Sequence, residues 1–127
     1  MRRLFCITLA VLAAAIALCG FAKHKVDSFT LRARHLRSEA MLALDAADVQ
    51  RTEVLLVELA GHLKGNQGVL EVFCDHADLH EMKGALIDAQ ASIEFGIEDD
   101  FYQAIYRFGE MLDHISAAEE LSWTNFL

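Results

Sequence analysis

The sequence predicts an all-α protein, with a transmembrane signal-anchor helix over residues 1–22 and an antiparallel four-helix bundle, built as two helical hairpins, over residues 23–127. Three observations lead there. The chain has no proline. The run from Leu4 to Ala22 carries no charged residue. Beyond it, apolar residues recur at three- and four-residue spacing, the pattern of one helix face, and no strand-like alternation competes with it.

The apolar run comes first. A helix rises about 1.5 Å per residue, so a run of this length spans roughly 28 Å, close to the ~30 Å hydrocarbon core of a bilayer. A helix also satisfies its own backbone N–H and C=O groups, as lipid requires. Thr8, the polar interruption, is placed to return its hydroxyl to a carbonyl one turn back. A cleaved secretory signal is the competing reading, because Gly20-Phe21-Ala22 offers small residues after an arginine-led apolar region. The run is longer than an ordinary signal core, which favours an uncleaved anchor. Lipid attachment at Cys19 fits poorly, since Leu18 stands where a small residue is wanted. Arg2 and Arg3 favour a cytoplasmic amino end, although Lys23, Lys25, Arg32, Arg34 and Arg37 follow the run and weigh the other way. The reading adopted is a single-pass protein of the cell membrane, anchored by residues 4–22, with its helical domain outside the cytoplasm.

Charge divides the chain. Seven of the eleven basic residues fall within residues 1–37, against one acid, Asp27. The remainder carries four basic residues and eighteen acids, and the whole has a net charge of −8. Such a domain is a poor match for nucleic acid, whose phosphates need a basic surface. The basic stretch from Lys23 to Arg37 fits either a solvated helix face or contact with anionic head groups. Cys6 and Cys19 lie in the apolar run, so Cys74 is the one cysteine of the soluble part. No disulfide can form within that part, and Cys74 reads as a small buried thiol.

The bundle follows in order. The first soluble helix carries Val26, Phe29, Ala33, Leu36, Ala40 and Leu44 on one face. Asp45 before Ala46-Ala47-Asp48 reads as an Asp cap with an acid in the first turn of the second helix. That helix carries Val49, Thr52, Leu56, Leu59 and Leu63. Gly65-Asn66-Gln67-Gly68 contains residues that tolerate positive φ and reads as a hairpin loop. Val69 to Cys74 leads into the third helix, with or without a kink near Asp75; the stripe is Leu79, Met82, Leu86, Ala89, Ile93 and Ile97. Gly96 is placed for a left-handed cap, and Glu98-Asp99-Asp100 suits a helix amino end. The fourth helix carries Phe101, Ala104, Phe108, Met111, Ile115 and Ala118, widened by Ile105 and Tyr106. Glu119-Glu120 reads as solvated surface. The apolar tail Leu121-Ser122-Trp123-Thr124-Asn125-Phe126-Leu127 is expected to fold back on the bundle through Trp123 and Phe126, or else to dock on a partner. A weak repeat relates Asp48-Val49 to Asp100-Phe101, and Glu58 to Leu63 with Glu110 to Ile115.

Few residues suggest chemistry. His76 and His80 share a helix face at i, i+4 beside Asp78 and Glu81, a geometry that can hold Zn²⁺ or another transition metal if His114 or His62 reaches in. Ala77 stands where a zincin motif has glutamate. An exposed polar face, with His76 near the turn, is the simpler reading, so no metal and no cofactor is assigned; His76, Asp78, His80 and His114 remain the alternative metal set. No nucleophile elbow or glycine-rich phosphate loop is present, and no catalytic residue is assigned. The expectation is a non-enzymatic, membrane-tethered helical module that binds a protein partner or organises an envelope complex. A metal- or ligand-sensing bundle is the alternative.

One resemblance covers the whole chain. His76-Ala77-Asp78-Leu79 with Met82, then His114-Ile115, Glu119 or Glu120, Leu121 and Asn125-Phe126-Leu127, resemble short motifs of a family of small bacterial membrane proteins. That family is catalogued as domain of unknown function 4363. Where its members carry tryptophans around the second helix and the following turn, this chain has His62 and Val69-Leu70. The resemblance implies a membrane-anchored helical fold and supplies no catalytic residue.

Overall fold

A computed structural model describes the backbone of residues 1–126 and the side chains of residues 1–120. Five helices follow one another: α1 (Arg2–Asp45), α2 (Val49–Gly65), α3 (Gln67–Phe73), α4 (His76–Phe95) and α5 (Glu98–Phe126). No strand occurs among the described residues. α1 packs on α2 and α5, α4 packs on α5 and α2, and the short α3 touches all four.

The apolar run and the amphipathic stretch that follows it are one helix. α1 continues unbroken through Ala22-Lys23, because the sequence has neither proline nor a capping residue there to stop it. Its first half is long and apolar enough to cross a membrane and buries nothing within the protein. Thr8 Oγ1 donates to the Leu4 carbonyl at 2.8 Å, which satisfies the one hydroxyl of that stretch. The second half buries Val26, Phe29, Ala33, Leu36, Ala40 and Leu44, the stripe read from the sequence.

Both long hairpins turn by the same device. At the end of α1 the Asp48 N–H donates to the Ala43 carbonyl and the Ala47 N–H to that of Leu44, a Schellman pair. At the end of α4 the Ile97 N–H donates to Ser92 and the Gly96 N–H to Ile93 in the same pattern. The motif needs one residue in the left-handed region. Gly96 supplies it at φ 73°, and Ala47 supplies it at φ 58°. An alanine there is strained by about 1–2 kcal/mol, partly offset by the greater chain entropy that glycine would lose. Ala47→Gly is therefore expected to stabilise the protein by about 0.5–1 kcal/mol, read as a higher urea midpoint with unchanged slope.

Three expectations are corrected here. Asp45 closes α1 and does not cap α2; Asp48 does, accepting from the Arg51 N–H at 3.1 Å. Asp45 instead accepts from the Tyr102 hydroxyl across the α1–α5 contact. Gly65-Asn66-Gln67-Gly68 is not a positive-φ hairpin loop. The reversal is shared between Asn66, whose side chain donates to the His62 carbonyl at 2.8 Å, and the extended pair Cys74-Asp75, with α3 between them. The repeat is also out of step with the helix starts, since Asp48 caps α2 whereas Asp100 lies inside α5.

The core is otherwise the expected one with small rotations. Val49 and Ile97 are exposed, and Leu55, Ala85 and Ser92 are buried beside their stripes. On α5 the buried line runs Phe101, Ala104, Ile105, Phe108, Leu112, Ile115 and Glu119, so it is centred one residue later than the sequence stripe. Glu119 is consequently only 2% exposed, against the expectation of a solvated carboxylate; Glu120 is exposed. The expected packing of Trp123 and Phe126 lies outside the described side chains.

Candidate interaction surfaces

The four histidines considered as metal ligands fall in three places. His76 and His80 are exposed on the first two turns of α4 with Asp78 half-buried beside them, and His114 is exposed on α5. Among the described residues no three His, Cys, Asp or Glu side chains gather closely enough to hold a metal ion. His62 is engaged elsewhere. Its ring stacks on Phe29 at 4.9 Å between centroids and its Nε2 lies 3.1 Å from the Phe29 carbonyl. A carbonyl only accepts, so Nε2 carries the proton, and His62 ties α2 to α1.

The basic run of α1 is also largely engaged inside the protein. Arg32 pairs with Glu58 at 3.7 Å and Arg34 with Asp113 at 3.0 Å. Arg37 Nε donates to the Ile105 carbonyl at 2.9 Å and its guanidinium lies over the Tyr106 ring. Gly109 makes that approach possible, because a Cβ there would stand 2.8 Å from the Arg37 guanidinium. These residues sit well up a helix that continues straight from the apolar run, about 15–22 Å beyond Ala22. That is further than a Debye length of ~8 Å from a bilayer surface placed at Ala22, so Arg32 serves the α1–α2 contact and Arg34 and Arg37 the α1–α5 contact rather than head groups.

Two surface features stand out on the bundle. The first is a groove of about 640 Å³ between α4 and α5, lined by Phe95, Ile97, Tyr106, Asp88, Arg107 and neighbouring residues. Phe95 is 74% exposed and Tyr106 is 61% exposed, while Arg107 pairs with Asp88 across the groove. The groove therefore sets two exposed aromatic rings beside a surface ion pair. The sequence signal was Phe95 lying off the apolar stripe of its helix, next to the Gly96 turn.

The second is a cluster where α5 meets the start of the soluble part of α1. Lys23 Nζ lies 3.0 Å from Asp27 Oδ2 and 3.2 Å from Glu119 Oε1. Glu119 Oε1 is otherwise without a hydrogen-bond partner. Burial, with the neighbouring Asp27 carboxyl, pushes Glu119 above its ordinary value, and Lys23 only partly opposes this. Burial also acts to raise Asp27, but its hydrogen bonds with Glu119 and Lys23 outweigh that and hold it below its ordinary value. Lys23 is raised by its hydrogen bonds to Asp27 and Glu119. Burial and the Asp27 carboxyl thus favour the neutral form of Glu119, while Lys23 favours the ionised form of both acids. Cys74 is half-buried, and burial beside Asp78 and Asp75 pushes its thiol up to about 11, away from nucleophilic use.

No family model, curated protein or solved structure matches this chain.

Proposed function

We propose that the protein is a membrane-tethered, non-enzymatic helical module that presents the α4–α5 groove to a protein partner. The observation that carries this reading is the pair of exposed aromatics, Phe95 and Tyr106, beside the Arg107–Asp88 ion pair. Solvent-exposed aromatics around a fixed charge suit a partner's buried anchor residue. The position suits it too. α1 rises from residue 22 to Asp45 as one helix, and the groove lies toward that far end, about 30 Å from a bilayer crossed by residues 4–22. A rigid stalk holds the face within reach of envelope components and clear of lipid.

On this reading residues 1–22 are an uncleaved signal anchor and the domain is a two-hairpin antiparallel four-helix bundle outside the cytoplasm, with Arg2 and Arg3 inside. Continuity of α1 through residues 20–23 supports retention, because a signal peptidase needs an extended site and this one is helical. The resemblance to domain of unknown function 4363 bears none of the weight. Photo-crosslinking in intact membranes tests the reading. A benzophenone side chain at Phe95 is expected to give a discrete adduct, which Tyr106→Asp diminishes without changing the fold. A benzophenone at Gln50, exposed on α2, is expected to give none. Identical patterns from positions 95 and 50 overturn the assignment of the face.

A further inference from the structure

The contact between α2 and α4 leaves a second groove, of about 310 Å³, on a different face of α4 from the α4–α5 groove. Leu63 and Leu86, both buried, form its floor, with half-buried Ala60 and exposed Ile87 beside them. Lys64 lines it from α2 and Lys83 from α4. Among the described residues no carboxylate lines it. That sets it apart from the rest of the domain, since residues 38–127 hold eighteen acids against four cations. Two of those cations, Arg51 and Arg107, are paired with Glu39 and Asp88. Lys64 and Lys83 are the other two, and neither is in an ion pair among the described residues. Glu71, beyond the groove, accepts instead from Gln67 Nε2 at 3.1 Å.

Helix direction gives the groove a charged end and an apolar end. α2 is antiparallel to α1, since Glu39 meets Arg51, Arg32 meets Glu58 and Phe29 meets His62. α5 is antiparallel to α1 as well, through Tyr102 with Asp45 and Glu119 with Lys23. α4 turns back into α5 at Gly96, which sets Asp88 against Arg107. α2 and α4 therefore run in opposite directions. Lys64 follows Ala60 by one turn on α2, and Lys83 precedes Ile87 by one turn on α4, so both lysines stand at the same end. Gln90 marks the other end, about 10 Å along α4 from Lys83.

We propose that this groove binds a single-chain amphiphile with a carboxylate head, the head at Lys64 and Lys83 and the alkyl chain along Leu63, Leu86 and Ile87 toward Gln90. Charge and shape select that class. The two lysines gain a counter-charge that their own domain does not supply, and the surrounding acidic surface repels a monoanion less than a dianion. The chain covers Ile87, which is 63% exposed, and removes its apolar surface from water. Apolar walls between helices with a few convergent polar groups are the common form of a small-ligand site, and this groove is at the small end of their size range.

The full chain in phosphatidylcholine nanodiscs, with its isoleucine methyls labelled for NMR, is titrated with octanoate. The Ile87 methyl is expected to shift and to saturate, while Ile105 and Ile115, buried on α5, stay in place. Octylammonium, with the same chain and the opposite head, is expected to leave Ile87 where it is; that contrast needs no variant. Lys64→Gln and Lys83→Gln are each expected to weaken octanoate binding by about tenfold, the loss of one charge-assisted contact, with the signals of Ile105 and Ile115 unchanged. Equal shifts with octanoate and octylammonium overturn the inference, because the alkyl chain alone then does the binding. An Ile87 signal that octanoate does not move, or moves without saturation, overturns it as well. So does octanoate binding that both glutamine variants retain in full.

Discussion

Phe108→Ala is expected to lower the unfolding free energy by about 3–5 kcal/mol, the cost of removing a fully buried ring and leaving a cavity. Phe108 is 0% exposed, on the α5 face that packs against α1 and α4, so little nearby can relax into the space. Against a typical total of about 5–15 kcal/mol, a loss of that size takes much of the stability of a domain this small. Leu112→Ala is expected to cost about 2–5 kcal/mol, and Gln103→Ala, exposed on the same helix, less than about 0.5 kcal/mol. Urea unfolding of the full chain in detergent micelles measures all three. Equal small effects would mean that the buried face of α5 lies elsewhere.

The contrast between Leu112 and Met111 shows what the sequence carries. All six residues of the α1 stripe from Val26 to Leu44 are buried, because the apolar spacing of α1 has no rival, and only Thr30 and Ala43, buried beside it, were not read. On α5 two overlapping stripes fit the spacing rule, one through Met111 and Ala118 and one through Leu112 and Glu119. The first looks more apolar, since a glutamate argues against burial. The second is the buried one, because Lys23 and Asp27 on α1 supply partners that no reading of α5 alone reveals. The Gly96 turn was legible from glycine, whereas the equivalent turn at Ala47 was not, its strain being imposed by the packing of α1 on α2. The groove was the least legible part. Phe95 and Tyr106 are ordinary apolar residues in the sequence, and only the placement of α4 against α5 makes them neighbours on one exposed face.

Glu119→Gln is expected to make stability less dependent on pH above the ordinary carboxylate value of 4.5, because burial raises Glu119 and so makes its ionisation costly in the folded state. The sign follows from the direction of each shift. Glu119 is raised above its ordinary value of 4.5, so its contribution to stability is fully present below that value and is lost as pH rises through the folded value. Asp27 is lowered from 3.8, so its contribution is present above that value and is lost as pH falls below it. The parent therefore loses stability through Glu119 as pH rises above 4.5 and through Asp27 as pH falls below 3.8. Glutamine is neutral at every pH, which removes the loss that accompanies ionisation of Glu119 and leaves the acid loss at Asp27. The Lys23 ion pair opposes this outcome, but Lys23 is over a third exposed and its pull is screened by water. Urea midpoints of parent and variant between pH 4 and 9 decide the matter. Parallel curves would show that Glu119 is ionised in its pocket and that the ion pair with Lys23 governs it.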